Sequence, residues 1–425
     1  MTRISSTRLA GLACVLSIAL LAAGCAAPSD DGAKPAGADG VVKVGFLSPV
    51  TGPVAAAGQQ MKQGWELYWE QHGNKAGGVK VKTYFDDDAG NPETALTKAR
   101  RLVENEHVEA MVGPMLANTA LAVSDYVTGQ GIPSFQPVTA ADDLTQRKQN
   151  PLMIRTGSFA ASQMNYPGGQ WAHQQGHRKA ATLCLDYAFG WESCAGFVRS
   201  FTDAGGTIAK QLWYPLGTQD FSSYMTQLKS VDADMLYIAA AGGGDAPRII
   251  STYDDFGLRD KLFLLANCCL FDTSSLKELG AKAEGLHSVS YYAEGREGSQ
   301  VLGDFEAAYK AKYGLLPSAY VAGAYVTASV LAAALEKTGG DADAKTLVAA
   351  ARSVRFDDSP LGPLSYDDMN NTVGNVYIRE VRRNASGDYV NVPVATVPDV
   401  GQFWKYDKDD YLAQPPYDRR HTGKP

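Results

Sequence analysis

From Val41 onward, short apolar runs rich in β-branched residues alternate with longer stretches whose bulky residues recur at helical spacing. Val41–Leu47 reads as a strand buried on both faces of a parallel sheet. Ser48, Pro49, Thr51, Gly52 and Pro53 break it, and a helix is predicted over Gln59–Gln71, with Met61, Trp65, Leu67, Tyr68 and Trp69 among its bulky residues. The order then repeats. An alternating strand, Val79–Phe85, is followed by a helix that Asn91 caps, Pro92 opens and Glu93 supports at its positive end, running to about Glu106. Strand Val108–Val112 precedes a helix to about Thr128, and strand Ile132–Phe135 leads into the loop Gln136–Ala141. A βαβαβα order of this kind predicts an α/β layer whose loops line one edge at the carboxyl ends of the strands.

A second series begins near Phe159. Helix Gln163–Gln175 is followed by strands predicted at Lys179–Leu185, Thr207–Tyr214, Met235–Ala240, Lys261–Ala266 and Ser288–Tyr292. The helical region Gln300–Lys312 and Ala319–Lys337 has the spacing and alanine content to pack back on the first layer. Strand Asn375–Arg382 closes the domain, and the polar tail from Tyr406, with Pro415 and Pro416, is expected to be loosely held.

The first residues differ in kind. Arg3 and Arg8 precede an apolar stretch, Leu9–Leu21, too short to span a membrane, so residues 1–24 read as a secretory signal. Leu21-Ala-Ala-Gly-Cys25 resembles the lipobox of bacterial lipoproteins, which implies diacylglycerol on Cys25 and anchoring to the outside of the cell membrane. Residues 25–40, rich in Ala, Asp, Gly and Pro, read as a flexible tether. The remaining length suits two lobes rather than one core. A net charge of −7 without a basic tract argues against nucleic-acid binding, and no later apolar run is expected to span a membrane.

Of six cysteines, Cys14 leaves with the signal and Cys25 carries lipid. Among the other four, Cys184 with Cys194 and Cys268 with Cys269 are both open pairings, and the strained ring of a vicinal bridge favours free thiols or a longer-range bond for the second pair. Paired Cys-x-x-Cys spacing is missing, which disfavours zinc. Asp86–Asp88 lack the spacing of a calcium loop, and Gly242–Gly244 lack the lysine of a phosphate loop. Scattered histidines and the lack of a nucleophile elbow disfavour a secreted enzyme. No cofactor is expected.

The loop Val50–Gly58, Asp87–Pro92, Leu144-Thr-Gln-Arg147, Asp186-Tyr-Ala-Phe-Gly190 and Leu361-Gly-Pro363, in that order, resemble the solute-binding proteins of branched-chain amino acid ABC importers. The resemblance implies a two-lobed type I periplasmic-binding-protein fold with three crossings. It divides the chain into 41–158 with 293–370 as one lobe, 159–292 with 371–405 as the other, and 406–425 as tail. It also implies a small carboxylate-bearing ligand in the cleft, a permease and ATPase complex as partner, and a monomer. A sensory receptor module of the same fold is the rival role.

Carried over by position, the carboxylate-binding loops are Leu116–Thr119 and Val138–Ala141, with Asn118, Thr119, Thr139 and Ala140 at the ligand. Tyr187 or Phe189 is the pocket aromatic, and Ser48, Gly243, Asn267 and Cys268 complete the set. The acid that holds an ammonium in amino-acid binders falls at the neutral Cys268, which points to a ligand without an ammonium, such as an aromatic or aliphatic acid. Asp186 and Asp245 are the alternative acids.

Overall fold

The structure is a computed structural model that describes residues 40–242 and 244–420. The signal peptide, Cys25 and the tether up to residue 39 lie outside the described residues, as does Gly243.

The first lobe is built on β1 (Val41–Ser48), whose Val42, Val44 and Phe46 are fully buried. After α1 (Ala55–Gln71) come β2 (Lys75–Ala76), β3 (Val79–Asp87) and α2 (Pro92–Glu104). Then follow β4 (Ala110–Val112), α3 (Ala117–Gly129), β5 (Ser134–Gln136) and β6 (Met153–Arg155). The sheet order is β2-β3-β1-β4-β5-β6, parallel except for β2. The predicted cap of α2 forms: Asn91 accepts from the amides of Glu93 and Thr94, both at 3.0 Å.

The second lobe contains α4 (Ala161–Gln174), β7 (Lys179–Leu185), α5 (Ala188–Asp203), β8 (Thr207–Tyr214), α6 (Ser222–Ser230) and β9 (Met235–Ala239). It continues with α7 (Asp245–Asp255), β10 (Phe263–Ala266), α8 (Thr273–Leu279) and β11 (His287–Ser290). The chain returns to the first lobe for α9 (Gln300–Tyr313), α10 (Ala319–Thr338) and α11 (Ala344–Arg352), then adds β12 (Leu364–Tyr366), β13 (Thr372–Arg383) and β14 (Tyr389–Val400) to the second sheet. Its order is β12-β13-β11-β10-β9-β7-β8, with β14 on β13. Three crossings therefore join the lobes, near residues 156–160, 291–299 and 353–363. α10 lies so close to α1 that a Cβ on Gly64 would sit 2.1 Å from the Val321 carbonyl oxygen.

Four expectations change. Leu364–Tyr366 pairs with β13 and so joins the second sheet, ahead of the boundary expected at 370. The strand Tyr389–Val400 was not expected; Pro393 falls beside a register shift in its ladder with β13, where a missing N–H is tolerated. Helix α10 is long and apolar enough to cross a membrane by length and composition, contrary to the expectation that no such run exists, yet 78% of that stretch is buried within the fold. The tail is not loose up to residue 420. It forms α12 (Lys408–Ala413), buries Tyr411 against the Tyr166 hydroxyl at 3.0 Å, and receives Arg147 on the carbonyls of Tyr411 and Gln414 at 3.0 and 2.9 Å. A polar composition concealed one tyrosine that packs.

A disulfide joins Cys184 at the end of β7 to Cys194 in α5, with Cα atoms 6.4 Å apart. Cys268 and Cys269 are free thiols.

Candidate functional site

A small cavity opens where strand ends of both lobes face each other. Leu116 and Ala117 border it at the start of α3, and Val138 and Ala140 border it from the loop after β5. Leu116 is the N-cap, so the first amides of α3 have no acceptor inside the helix and lie at the positive end of its dipole. That end suits a carboxylate.

The hydroxyls expected to bind the ligand are engaged elsewhere. Thr119 Oγ1 donates to the Leu116 carbonyl at 2.7 Å, Thr139 Oγ1 to the Pro114 carbonyl, and Ser48 Oγ to the Gly58 carbonyl at 2.7 Å. A hydroxyl has one proton to donate, so none of the three can also donate to a carboxylate in this conformation. Asn118 is exposed. Asn267 spends its side chain on the main chain of Ala240, accepting from its N–H at 3.2 Å and donating to its C=O at 2.9 Å. These residues shape the loops.

From the second lobe, Tyr187 and Phe189 border the cavity with ring centroids 6.3 Å apart. Burial holds the Tyr187 phenol far above its ordinary range, so it stays neutral. Cys268 and Cys269 form the adjoining wall. Tyr291 and Tyr320 border the same space. Tyr291 stacks on Phe159 at 5.5 Å, and the Tyr320 hydroxyl donates to the Ala241 carbonyl at 3.0 Å, carrying α10 to the second-lobe loop. No sequence signal separated these tyrosines from core, because their partners lie far away in the chain. Gly242 adopts φ +84°, and a Cβ there would meet the Tyr320 hydroxyl at 2.8 Å.

Among the described residues that border the cavity, none is charged. Asp186 is bonded to Trp191 Nε1 at 3.0 Å and Arg419 at 2.8 Å. Asp245, at the start of α7, is buried and interacts electrostatically with Tyr187. Its Oδ1 pairs with Arg248 at 3.0 Å, while its Oδ2 has no hydrogen-bond partner among the described residues.

Behind the cavity, buried Arg155 donates from Nε to the Thr139 carbonyl at 3.0 Å and from Nη1 to Thr145 Oγ1 at 2.7 Å, and it also bonds Asn371 and the Ala141 carbonyl. It fixes the loop after β5. Across the lobes, Glu192 of α5 accepts from the Asp142 amide at 3.0 Å, and Asp142 accepts from the Ser162 amide at 3.1 Å. Burial pushes Asp142 up to about 6 and Glu192 well above its ordinary range.

A raised carboxyl binds protons in the folded state that the unfolded chain, titrating near about 4, has released. Stability should therefore rise as pH falls from 7 toward 4, by at most about 1.4 kcal/mol per pH unit for each group. Asp88 and Asp272, also pushed by burial to about 6, act with the same sign. Urea unfolding at pH 5 and pH 7 measures the slope, and Asp142→Asn is expected to flatten part of it; a slope of opposite sign would refute the assignment.

Two lobes around a cleft set the frame for the comparison with known proteins. The family model described as periplasmic binding protein matches residues 41–388. The chain belongs to this family, in its type I form and on its branched-chain amino acid side. It is 31% identical over 360 residues to the Leu/Ile/Val-binding protein homolog 6 of Brucella melitensis biotype 1, covering 84% of this chain and 91% of that one. Among solved structures, an ABC transporter substrate-binding protein from Sphaerobacter thermophilus is 30% identical with a TM-score of 0.81, covering 85% of this chain and 99% of that one. A solute-binding protein of an ABC transporter from Rhodopseudomonas palustris BisB5, in complex with 3,4-dihydroxybenzoic acid, is 29% identical with a TM-score of 0.81 and the same coverage. Periplasmic binding proteins are extracytoplasmic, and the homologues are solute binders, not enzymes.

Proposed function

We propose that the protein captures a small aromatic carboxylate in its cleft and hands it to an ABC importer, tethered to the membrane by lipid on Cys25. The observation that carries this reading is the uncharged cavity border, with a cysteine where an ammonium-binding acid was sought and a helix N-terminus at one end. The carboxylate sits on the amides of residues 117–119, and the ring lies against Tyr187 and Phe189, whose faces bury apolar area with few rotors to freeze. Contacts to both lobes shift the population toward the closed form, which docks on the permease. The Rhodopseudomonas protein crystallised with a dihydroxybenzoic acid supports the ligand class. The protein acts by binding and needs no cofactor.

One observation favours an amino acid instead. The unpartnered Oδ2 of Asp245 would accept from an ammonium. Thermal-shift screening of the mature chain against benzoates and branched-chain amino acids decides between them. A ligand at about 100 times its Kd adds about 2.7 kcal/mol, and aromatic acids are expected to give that shift. Asp245→Asn is expected to leave the aromatic-acid shift in place; a shift seen only with amino acids and abolished by Asp245→Asn overturns the proposal.

A further inference from the structure

At the carboxyl end of β10, Cys268 and Cys269 stand in the cleft wall with their sulfurs 2.7 Å apart. A disulfide needs about 2.05 Å, so ring closure asks the sulfurs to approach by roughly 0.7 Å and to accept the strain of a vicinal ring, which keeps such a bond readily reducible. The surrounding main chain is pinned. Arg379 Nη2 donates to the Cys268 carbonyl at 3.0 Å, the Asp272 amide to the Cys269 carbonyl at 3.3 Å, and Asn267 clamps the neighbouring strand end. Among the described residues no third ligand completes a metal site around the pair. The same sheet already carries the Cys184–Cys194 disulfide, as fits a chain that folds outside the cytoplasm.

We infer that Cys268 and Cys269 are a reversible dithiol–disulfide couple built into the wall of the binding cleft, and that its redox state sets ligand affinity. The second half of this inference rests on the proposed aromatic-acid reading. The oxidant is a small disulfide of the glutathione class. When the cleft is open, the thiolate of one cysteine attacks glutathione disulfide, forming a mixed disulfide and releasing one glutathione thiolate. The neighbouring cysteine, deprotonated, then attacks the protein sulfur and expels the second. Two electrons pass from the protein dithiol to the glutathione pair, and the two protons follow to the released thiolates. The adjoining Cys269 thiol, and burial after it, hold the Cys268 thiol well above its ordinary range, so exchange requires the cleft to open and hydrate.

Oxidation removes two S–H hydrogens and fixes the sulfurs as one apolar edge beside Tyr187 and Tyr320. An aromatic ring gains a polarizable, preorganised contact there. The oxidised form is therefore expected to bind 3,4-dihydroxybenzoate about tenfold more tightly than the reduced form, within the usual range of coupling between two sites.

The test treats the ligand-free mature protein with glutathione disulfide and maps its peptides by mass. The peptide that carries residues 268 and 269 should lose two hydrogens and regain them with dithiothreitol. Calorimetric titration with 3,4-dihydroxybenzoate then compares both states, and the double variant Cys268→Ser with Cys269→Ser, which offers the oxidant no thiol in the cleft, should show the same affinity before and after treatment. Two free thiols remaining after oxidation would overturn the couple, whatever the variant does. Equal Kd values in the two states would overturn the control of affinity. Loss of two hydrogens with no aromatic acid bound in either state would overturn the ligand reading and the affinity control with it, while the couple itself would stand on the mass change.

Discussion

Arg155→Ala is expected to cost about 3–5 kcal/mol of stability and to abolish ligand binding in whatever fraction still folds. The side chain is completely buried, and burial lowers its pKa only to about 10, so it stays charged at neutral pH. Its guanidinium satisfies the carbonyls of Thr139 and Ala141 together with Thr145 and Asn371. Removing it leaves those acceptors buried without donors and takes away the positive charge that acts to lower the Asp142 and Glu192 carboxyls, so both would rise further. The loop that places Val138 and Ala140 at the cleft would then lose its support from behind. Arg155→Lys should recover little, because an ammonium cannot reproduce a planar fork reaching four partners. Urea unfolding with calorimetric titration of the ligand measures both effects. A cost below about 1 kcal/mol would show that the network is dispensable.

Gly157→Ala is expected to destabilise by about 2–4 kcal/mol through overpacking alone. Gly157 lies in the first crossing, and a Cβ there would sit 1.9 Å from the Gly323 carbonyl oxygen and 2.7 Å from that of Pro137. Both obstacles are main chain, so no rotamer change relieves them. Gly323→Ala meets the same gap from the other side, with Gly157 and Pro137 oxygens each 2.6 Å from its Cβ. The two substitutions share one contact, so their costs should fall short of additivity when combined. Melting temperatures of the two single variants and the double variant test this, and full additivity would mean that the helix moves away independently at each site.

Much of the fold was legible from the chain. Lys179–Leu185 and Thr207–Tyr214 emerge with the expected bounds because each run ends at an unmistakable turn. β14 was hidden by Pro393 and Pro398, which read against a strand but are tolerated at a sheet edge. Helix α1 begins at Ala55, three residues before the glycine expected to precede it, since close contact with Pro49 rather than helix breaking demands Gly58.

The cleft was legible as loops and not as chemistry. The sequence places Thr119 and Thr139 at strand and helix ends, yet whether a hydroxyl proton meets a ligand or a carbonyl depends on the path of the main chain around it. Arg155 carries no mark in the sequence. Its partners include Asn371, more than two hundred residues away, and no local pattern marks an arginine that will be buried.

The family match ends at residue 388, one position before β14 begins. A version of the protein trimmed to that boundary would strip the whole outer ladder from β13 and leave a twelve-residue strand with open hydrogen-bonding groups along one side. It would also discard the strap formed by Tyr411 and Gln414, which links Arg147 of the first lobe to Tyr166 of the second. An uncovered strand of that length invites pairing with a neighbouring molecule. Trimming at residue 388 is therefore expected to make the protein self-associate where the full chain does not.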